Sequence, residues 1–327
     1  MPFLTVCMPT YKRLGYLKTA MEGLLPQAEA LGVRVLVNDN CSGDGTAEYL
    51  ASLASRYSCL SFRVNQQTVS IDNNMFLSMQ TAEGEFVYPL GDDDFLPEGA
   101  LAAIVGELAS QPDLLVLSAK LGDANLIPKS DLLPQTLKGS TCDDPLTAFR
   151  ALWDKMPFGS FVMRREYVNS EKFGKYAGTC HAYTGVVWEK LSDKVASGKR
   201  VSIHCMQSST VILRGGEKSW KDYKARIYLL DIPAWLSLLP PLYAEAVEDI
   251  KAVYLSSHGS LLSLLAFRRS GQLTRDNCGE YLAHFSADVQ QRALILSYLP
   301  PFLATVLRFL VKTFSRISIF SNGYGKS

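Results

Sequence analysis

The first 118 residues alternate short apolar runs with longer amphipathic segments, and this alternation constrains the fold more than any other feature. Five runs have the character of strands, and a helix-like segment lies between each strand and the next. The strands are apolar along their whole length, which is typical of strands buried on both faces of a sheet. The pattern predicts an α/β fold in which a mainly parallel sheet has helices on both faces.

Polar segments follow three of these strands, namely MPTYKR, NDNCSGDGT and GDDD. In open α/β sheets ligands bind at the carboxyl ends of the strands, so these segments indicate where a site lies. The first of them continues as MPTYKRLGYL and lacks the GxGxxG pattern of dinucleotide-binding domains. A GxxxxGK[ST] phosphate loop is absent from the sequence as well. A phosphate ligand would therefore need a different kind of site.

The periodicity weakens between Leu121 and Thr141, which predicts a loop, and long helical segments follow Lys221. A Gly-Gly break at Gly215–Gly216 is the predicted domain boundary. The predicted parts are a catalytic domain over 1–215, with a nucleotide-binding half at 1–118 and an acceptor half at 119–215, a helical region over 216–298 and an amphipathic tail over 299–327.

Composition narrows the class of protein. The net charge is +1, which argues against a nucleic-acid partner. The seven cysteines show no CxxC spacing, and the first residues lack the charged and apolar regions of a signal peptide. We therefore expect free thiols in a reducing cytosol. The sequence has no run of about 18 uncharged apolar residues, so we expect no conventional membrane span.

Three consecutive carboxylates, Asp92, Asp93 and Asp94, follow the apolar run Phe86–Leu90. Two carboxylates can hold a hard divalent cation, and the cation can then neutralise the phosphates of a ligand. The alternative is a solvated turn before a helix, where acids interact favourably with the helix dipole.

Four segments, VCMPTYKR, VNDNCSGDGT, SIDNN and AEGEFVYPLGDDDF, occur in this order and resemble family 2 glycosyltransferases of the GT-A fold. The GDDDF form is most similar to bacterial transferases of O-antigen and related surface polysaccharides, including the abequosyltransferase-like group. The resemblance is strong over Phe3–Leu117 and weak over Phe158–Trp220. It implies a metal-dependent, inverting enzyme that moves a sugar from a nucleotide sugar to a hydroxyl of a lipid-linked or cell-surface glycan.

In this family the acidic segment is the DxD element. The resemblance implies that Asp94 is the direct ligand of Mn²⁺ or Mg²⁺, and that Asp92 lies towards the ribose and the metal. Asp93 would orient a sugar hydroxyl or a backbone group. Carboxylate oxygens suit both cations.

The resemblance places the segment after the first strand along the nucleotide. Pro9, Thr10 and Tyr11 would contact it through the backbone and the aromatic ring. Arg13 would reach a phosphate or pair with a nearby acid.

Asp39, at the end of the second strand, resembles the acid that binds the imide edge of uracil. A carboxylate can accept the N3–H of uracil or thymine, whereas cytosine has no proton there. This favours UDP or dTDP as the carrier, although abequose-type donors are carried on CDP, so the base stays open.

Three further donor-site residues have structural alternatives. Asp72 and Asn74, in SIDNN, match family positions that face the nucleotide, and the alternative is helix capping. Arg214, in RGGEKSW, would contact phosphate in a loop that closes over the donor, and the alternative is an ordinary surface turn.

An inverting transferase needs a general base on the acceptor hydroxyl. The family usually supplies an acid, often in a Glu-Asp pair, and this chain has GTCHAYTGVVWEKLSD at the corresponding distance. His181 is the first candidate, because the pKa of an unperturbed histidine lies near neutral pH. Glu189 is the second. If neither serves, the enzyme uses another acid or retains the configuration of the sugar.

Two other functions fit parts of the pattern. A sugar nucleotidyltransferase shares the α/β sheet and the acidic metal site, but its Gly-rich first loop is a poor match to MPTYKRLGYL. A catalytically inactive scaffold or glycan-binding protein is the other alternative, and both Asp92 and Asp94 argue against it because they are retained.

The tail LPPFLATVLRFLVKTFSRISIF is amphipathic. At 100° per residue, Arg308, Lys312 and Arg316 share one narrow arc, and phenylalanine, leucine, valine and isoleucine side chains fill the opposite side. The pattern predicts a helix in a membrane interface, and hence a peripheral enzyme on the cytoplasmic face of the cell membrane. The alternative is a helix docked on its own domain or on another subunit of a homo-oligomer.

Overall fold

The computed structural model describes residues 3–216 and 221–323 of the chain. Contacts between residues divide the chain into two units. Among the described residues, unit 1 comprises 3–216 and Leu239–Ala246, and unit 2 comprises 221–238 and 247–323.

One sheet is the centre of unit 1. Its nine strands, counted over the described residues, are β1 Leu4–Thr10, β2 Arg34–Asp39, β3 Leu60–Val64, β4 Phe86–Pro89, β5 Leu114–Gly122, β6 Pro128–Asp131, β7 Thr141–Cys142, β8 Phe161–Arg164 and β9 Ile203–Leu213. The main path runs in the order β3-β2-β1-β4-β8-β5-β9-β7, and β6 pairs with β5.

The first four strands in this order are parallel, with β1 between β2 and β4. Strand β8 then lies antiparallel between β4 and β5, and β9 is parallel to β5. The predicted parallel arrangement is thus confirmed for the nucleotide-binding half, whereas β8 makes the second half mixed. The parallel strands bring the ends of β1, β2 and β4 to one edge of the sheet, where the polar segments follow them.

Helices cover the sheet of unit 1. They are α1 Leu14–Leu31, α2 Thr46–Ala54, α3 Ile71–Gln80, α4 Ala100–Leu108, α5 Pro145–Leu152, α6 Ser170–Tyr176 and α7 Ala182–Ala196. The largest core cluster packs apolar faces of α1, α2 and α4 against side chains of β1, β2, β4 and β5. The amphipathic segments predicted from the sequence are these helices.

Leu239–Ala246 also belong to unit 1, although the sequence pattern assigns them to the helical region over 216–298. The cause is Tyr243, which is buried in that unit. Its ring lies 4.9 Å from the ring of Phe149, measured between centroids, and its hydroxyl donates to the Trp188 carbonyl at 2.9 Å.

Unit 2 is helical, which confirms the predicted helical C-terminal region. Its helices are α8 Lys224–Arg226, α9 Ile232–Leu238, most of α10 Ala244–His258, α11 Leu261–Arg269, α12 Cys278–Tyr281, α13 Ala287–Ser297 and α14 Pro301–Gly323, with a π-helical segment at Ile227–Asp231. Leucines and alanines from these helices form a separate core. Among the described residues no single helix meets the length and hydropathy of a membrane span, and Lys224–Leu238 and Pro241–His258 do so only when taken together across a bend of 111°.

Candidate active site

Asp92, Asp93 and Asp94 form a turn directly after β4, here called the acidic turn. Asp92 is buried, and its Oδ2 atom accepts a hydrogen bond from Thr10 Oγ1 at 2.7 Å. Its Oδ1 atom accepts from an Arg13 guanidinium nitrogen at 2.8 Å. Burial raises the pKa of Asp92 to about 7, although the charge of Arg13 opposes this rise. The Asp92 carboxyl therefore ionises less readily than an ordinary aspartate, and a nearby cation would favour its charged form.

Arg13 bridges the first two carboxylates, because its second guanidinium nitrogen lies 2.5 Å from Asp93 Oδ2. Burial alone would lower the pKa of Arg13, but the neighbouring carboxylates outweigh burial and raise it. The guanidinium also lies over the Tyr16 ring, 5.1 Å from its centroid, and that of Arg214 lies 4.9 Å from the same centroid. In this structure Arg13 thus pairs with acids, which is one of the two roles predicted for it.

Asp94 is held in a close-fitting cradle. Its Oδ1 atom accepts the backbone N–H of Arg214 at 3.0 Å. A Cβ atom on either Gly91 or Gly159 would lie 2.6 Å from Asp94 Oδ2, so a side chain at either position would displace the carboxylate. Gly159 also has a φ of +95°, and its carbonyl accepts from the Tyr88 hydroxyl at 3.0 Å. No sequence pattern marks Gly159, because only the fold brings it beside the acidic turn.

Arg214 reaches the acidic turn from the end of β9. Its Nε atom donates to the Asp93 carbonyl at 2.9 Å, and a terminal nitrogen donates to the Ala124 carbonyl. Backbone hydrogen bonds in both directions between Phe95 and Ile212 keep the end of β9 beside the turn. The structure therefore places Arg214 beside Asp92–Asp94.

The segments after β1 and β2 lie at the same edge of the sheet. Asp39 is buried, and its Oδ1 atom accepts from the backbone N–H of Ser42 at 3.1 Å and from the Ser42 hydroxyl. Pro9 is half-buried and Tyr11 is exposed. The backbone N–H of Asn40 donates to the Thr10 carbonyl, so the ends of β1 and β2 remain paired beyond the strands.

Asn74 belongs to a buried amide cluster that sequence reasoning missed. Its Oδ1 atom accepts from Asn38 Nδ2 at 2.7 Å and from Asn65 Nδ2 at 3.2 Å. Its own Nδ2 donates to the Thr10 carbonyl at 3.4 Å. The available signal was an asparagine just before the end of β2 and just after β3. The cluster joins the ends of three strands to the first turn of α3.

Asp72 is not the cap of α3, because Ser70 is the N-cap and accepts the Asn73 N–H at 3.3 Å. The buried Asp72 carboxylate instead accepts backbone N–H groups from the loop before α7, namely those of Gly178 at 2.8 Å and Cys180 at 3.3 Å. These two backbone N–H groups account for the burial of the Asp72 carboxylate without helix capping and without a nucleotide.

His181 is the residue that precedes α7. Its Nδ1 atom lies 3.0 Å from the Thr179 carbonyl and can only donate to it, which leaves the lone pair of the neutral ring on Nε2. Burial lowers the pKa of His181, so the ring is neutral at neutral pH. The Tyr183 ring lies between His181 and the segment that contacts the acidic turn. Its centroid is 6.1 Å from that of the stacked His181 ring and 5.3 Å from that of Phe158, the neighbour of Gly159.

Glu189 has different surroundings. It lies eight residues further along α7, which is about 12 Å at the helical rise of 1.5 Å per residue. Its carboxylate accepts from Lys175 at 2.7 Å, from the Tyr176 hydroxyl at 2.5 Å and from Lys172 at 3.5 Å. Burial would raise the pKa of Glu189, but these donors outweigh it and lower the pKa. The structure does not bring Glu189 to the acidic turn.

Residues 5–132 match the Glycosyl transferase family 2 profile. The chain therefore carries a family 2 glycosyltransferase domain over this segment. It is 25% identical over 263 residues to abequosyltransferase RfbV of Salmonella typhimurium, covering 75% of this chain and 77% of the relative. It is 31% identical over 106 residues to the GalNAc(5)-diNAcBac-PP-undecaprenol beta-1,3-glucosyltransferase of Campylobacter jejuni, covering 32% and 34% of the two chains. The predicted family and the prediction of an enzyme are confirmed.

Solved structures confirm the predicted GT-A fold of this family 2 member. S. aureus TarS 1-349 in complex with UDP-GlcNAc aligns with a TM-score of 0.60 at 15% identity, over 97% of this chain and 92% of TarS. The mannosyltransferase PcManGT of Pyrobaculum calidifontis, in complex with GDP-Man and Mn²⁺, aligns with a TM-score of 0.51 at 14% identity, over 94% and 87%. At these identities the likeness concerns the fold alone.

Proposed function

We propose that this glycosyltransferase moves a sugar from a nucleotide sugar to a hydroxyl of a lipid-linked or cell-surface glycan of the O-antigen type, with inversion at the sugar. The observation that carries the proposal is the acidic turn. It lies at the carboxyl end of a buried parallel strand, where α/β sheets bind nucleotides. Guanidinium groups from two distant segments, Arg13 and Arg214, contact this turn, and cationic groups of this kind suit a charged diphosphate.

A divalent cation fits this donor set. Among the described residues no three side chains of the metal-binding types converge on one point. Mg²⁺, however, needs only one or two protein carboxylates when the phosphates of a substrate complete its coordination. Asp94 and Asp92 would hold Mn²⁺ or Mg²⁺ through their carboxylate oxygens, and glycine at positions 91 and 159 keeps other side chains away from Asp94 Oδ2. When bound, the cation would neutralise charge on the departing diphosphate.

The chain's own residues supply the other parts of the donor site. Arg13 and Arg214 are the guanidinium groups nearest the acidic turn and would contact the diphosphate, which arginine binds bidentately. Arg13 would exchange its bond to Asp92 for a phosphate oxygen. Tyr11 is exposed and available to stack on the nucleotide base. Asp39 would accept N3–H of uracil or thymine, which makes a UDP-sugar or dTDP-sugar the preferred donor.

His181 is the proposed general base. Its neutral ring, with the proton on Nδ1, would accept the proton of the acceptor hydroxyl at Nε2 as that oxygen attacks the anomeric carbon. Attack from the side opposite the diphosphate inverts the configuration. Glu189 is the weaker candidate, because its lowered pKa and its three donors make its carboxylate a poor proton acceptor.

A donor screen tests this function. Hydrolysis and transfer would be measured with UDP-, dTDP-, GDP- and CDP-sugars, with Mn²⁺, with Mg²⁺ and with EDTA. We expect turnover of one nucleotide class, its loss in EDTA and its recovery when the cation is restored. Turnover that persists in EDTA would refute the metal assignment. Release of pyrophosphate from a sugar phosphate and a nucleoside triphosphate would indicate a nucleotidyltransferase instead.

We also propose that the enzyme works at the inner face of the cell membrane through α14. The helix packs beside α11, and the face that meets the core carries the small residue Ala304, which is fully buried. The broad apolar face stays outside, with Phe302 66% and Phe309 69% exposed. Leu294, Ile295 and Tyr298, in and directly after α13, are exposed as well. This arrangement suits a bilayer interface, since exposed patches of this kind mark interaction sites.

Substitution tests this better than deletion, because removal of Ala304 would disturb the core. We expect Phe302→Glu combined with Phe309→Glu to release the protein from vesicles of anionic phospholipid while hydrolysis of a soluble donor continues. Val253→Glu, at an equally exposed apolar residue of α10, is the control and should stay bound. A double variant that still sediments with the vesicles would contradict lipid binding by this surface. If the substitutions leave vesicle binding unchanged and lower the oligomeric mass in light scattering, the surface binds a second copy of the chain.

A further inference from the structure

Asp72, in the first turn of α3, is a buried carboxylate whose partners lie 106 and 108 residues away in the sequence. Its Oδ2 atom accepts the backbone N–H groups of Gly178 and Cys180. Burial of a charged group costs free energy unless hydrogen bonds or charges compensate it. Two N–H donors on one oxygen supply such compensation, and they tie the loop before α7 to α3.

The loop is in a conformation that its sequence does not favour. Cys180 has a φ of +57°, a left-handed conformation that is unfavourable for a residue with a Cβ atom. Its own N–H group is one of the two that Asp72 accepts. The next residue is His181, whose ring donates to the Thr179 carbonyl. The backbone that Asp72 holds is therefore the backbone that sets the position of the imidazole.

The same turn of α3 reaches the donor side. Asn74 Nδ2 donates to the carbonyl of Thr10, and the hydroxyl of Thr10 donates to Asp92. Two residues, Asp72 and Asn74, thus connect one helical turn to the loop that carries His181 and to the acidic turn. A single rigid element sets the position of both.

We propose that Asp72 is the positioning residue for His181: it holds the left-handed conformation at Cys180 and so keeps the imidazole aligned with the acceptor hydroxyl. This rests on the proposed role of His181 as the base. In this role Asp72 acts through the loop before α7 and not through contact with a substrate. Loss of its acceptor oxygen releases the N–H groups of the loop, Cys180 relaxes to an ordinary φ, and the ring of His181 moves.

The test is a double-mutant cycle in the full chain. We expect Asp72→Ala to lower kcat by about 10²-fold, the usual cost of a misplaced catalytic group, with the donor KM unchanged. In the His181→Ala background the same substitution should cost nothing more, because two residues that act through one group are not additive. Asp72→Asn keeps an acceptor oxygen and should retain most of the activity. Cys180→Gly should restore part of the rate to Asp72→Ala, because glycine adopts a positive φ without strain.

A second readout does not depend on activity. The chain has four histidines, and His181→Ala identifies the imidazole signals of His181 in an NMR spectrum. These signals should shift in Asp72→Ala and stay near their wild-type positions in Asp72→Asn. Unchanged signals in Asp72→Ala, or equal losses of kcat with and without His181, would overturn the proposal. Near-normal turnover of His181→Ala alone would instead refute the assignment of the base, and the NMR comparison would still decide whether Asp72 positions the ring.

Discussion

The acidic turn and the cluster around Glu189 both combine carboxylates with cations, and they differ in which charge is in excess. At the acidic turn three carboxylates adjoin each other and Arg13 bonds two of them, and burial raises the pKa of Asp92 to about 7. Around Glu189 two lysines and a tyrosine surround the carboxylate, and the pKa of Glu189 is lowered. A buried carboxyl with a raised pKa is a candidate for a functional site, whereas a carboxylate held by several donors is typical of a structural role.

The largest expected effect comes from the acidic turn. Asp94→Asn should reduce transfer by about 10³-fold or more, because loss of the cation removes several kcal/mol of stabilisation from the departing diphosphate. The fold should survive, since asparagine still accepts the Arg214 N–H through its Oδ1 atom. Steady-state transfer is the measurement, and Asp154→Asn, at an exposed aspartate, is the control. Equal losses in both variants would contradict a special role for the turn.

The next effect concerns His181. His181→Ala should reduce turnover by roughly 10²-fold, the usual scale for removal of a general base. The base must be neutral, so kcat should fall as the pH drops through the pKa of His181, and burial places that pKa below the ordinary value of about 6.5. The variant should lose this acid limb. His284→Ala is the control, and an acid limb that persists without His181 would assign it to another group.

Glu189 should affect stability more than catalysis. Glu189→Gln should lower the free energy of unfolding by about 1–3 kcal/mol, the scale for hydrogen bonds to a charged group, and leave transfer near the wild-type rate. Because the pKa of Glu189 is lower in the folded protein than in the unfolded chain, its carboxylate stabilises the fold at a pH above the unfolded-state pKa. This stabilisation is lost as the pH falls through the folded-state pKa. The difference between variant and wild type should therefore narrow below about pH 4. Urea unfolding checks this, with the exposed Glu171→Gln as the control.

Much of the donor side could be predicted, because its residues follow the ends of parallel strands. Strand ends meet at one edge of a sheet, so Thr10 and Asp92 had to be neighbours once β1 and β4 were parallel. The resemblance of the motifs to the family then identified Arg13 and Arg214 as candidate donor-site residues. Three adjacent carboxylates were compatible with a cation site or with a solvated turn, and the order of the motifs favoured the cation site.

The acceptor side could be predicted less well, since backbone groups build it. Asp72 bonds to N–H groups that any residue offers, so no side-chain pattern marks Gly178 or Cys180 as its partners. Gly159 matters because β8 is inserted beside β4, and a four-residue strand of this kind carries no periodic signal. Long-range contacts that depend on strand order are absent from a local pattern.

The central claim is that the acidic turn holds the donor and that His181 acts on the acceptor. Calorimetric titration tests it most directly, with the nucleoside diphosphate that the donor screen identifies as the ligand. The wild type, Asp94→Asn and His181→Ala would each be titrated with and without Mn²⁺. The account predicts that Mn²⁺ strengthens binding to the wild type and to His181→Ala equally, and that Asp94→Asn loses this gain. Equal weakening in both variants, or a gain from Mn²⁺ that survives in Asp94→Asn, would contradict it.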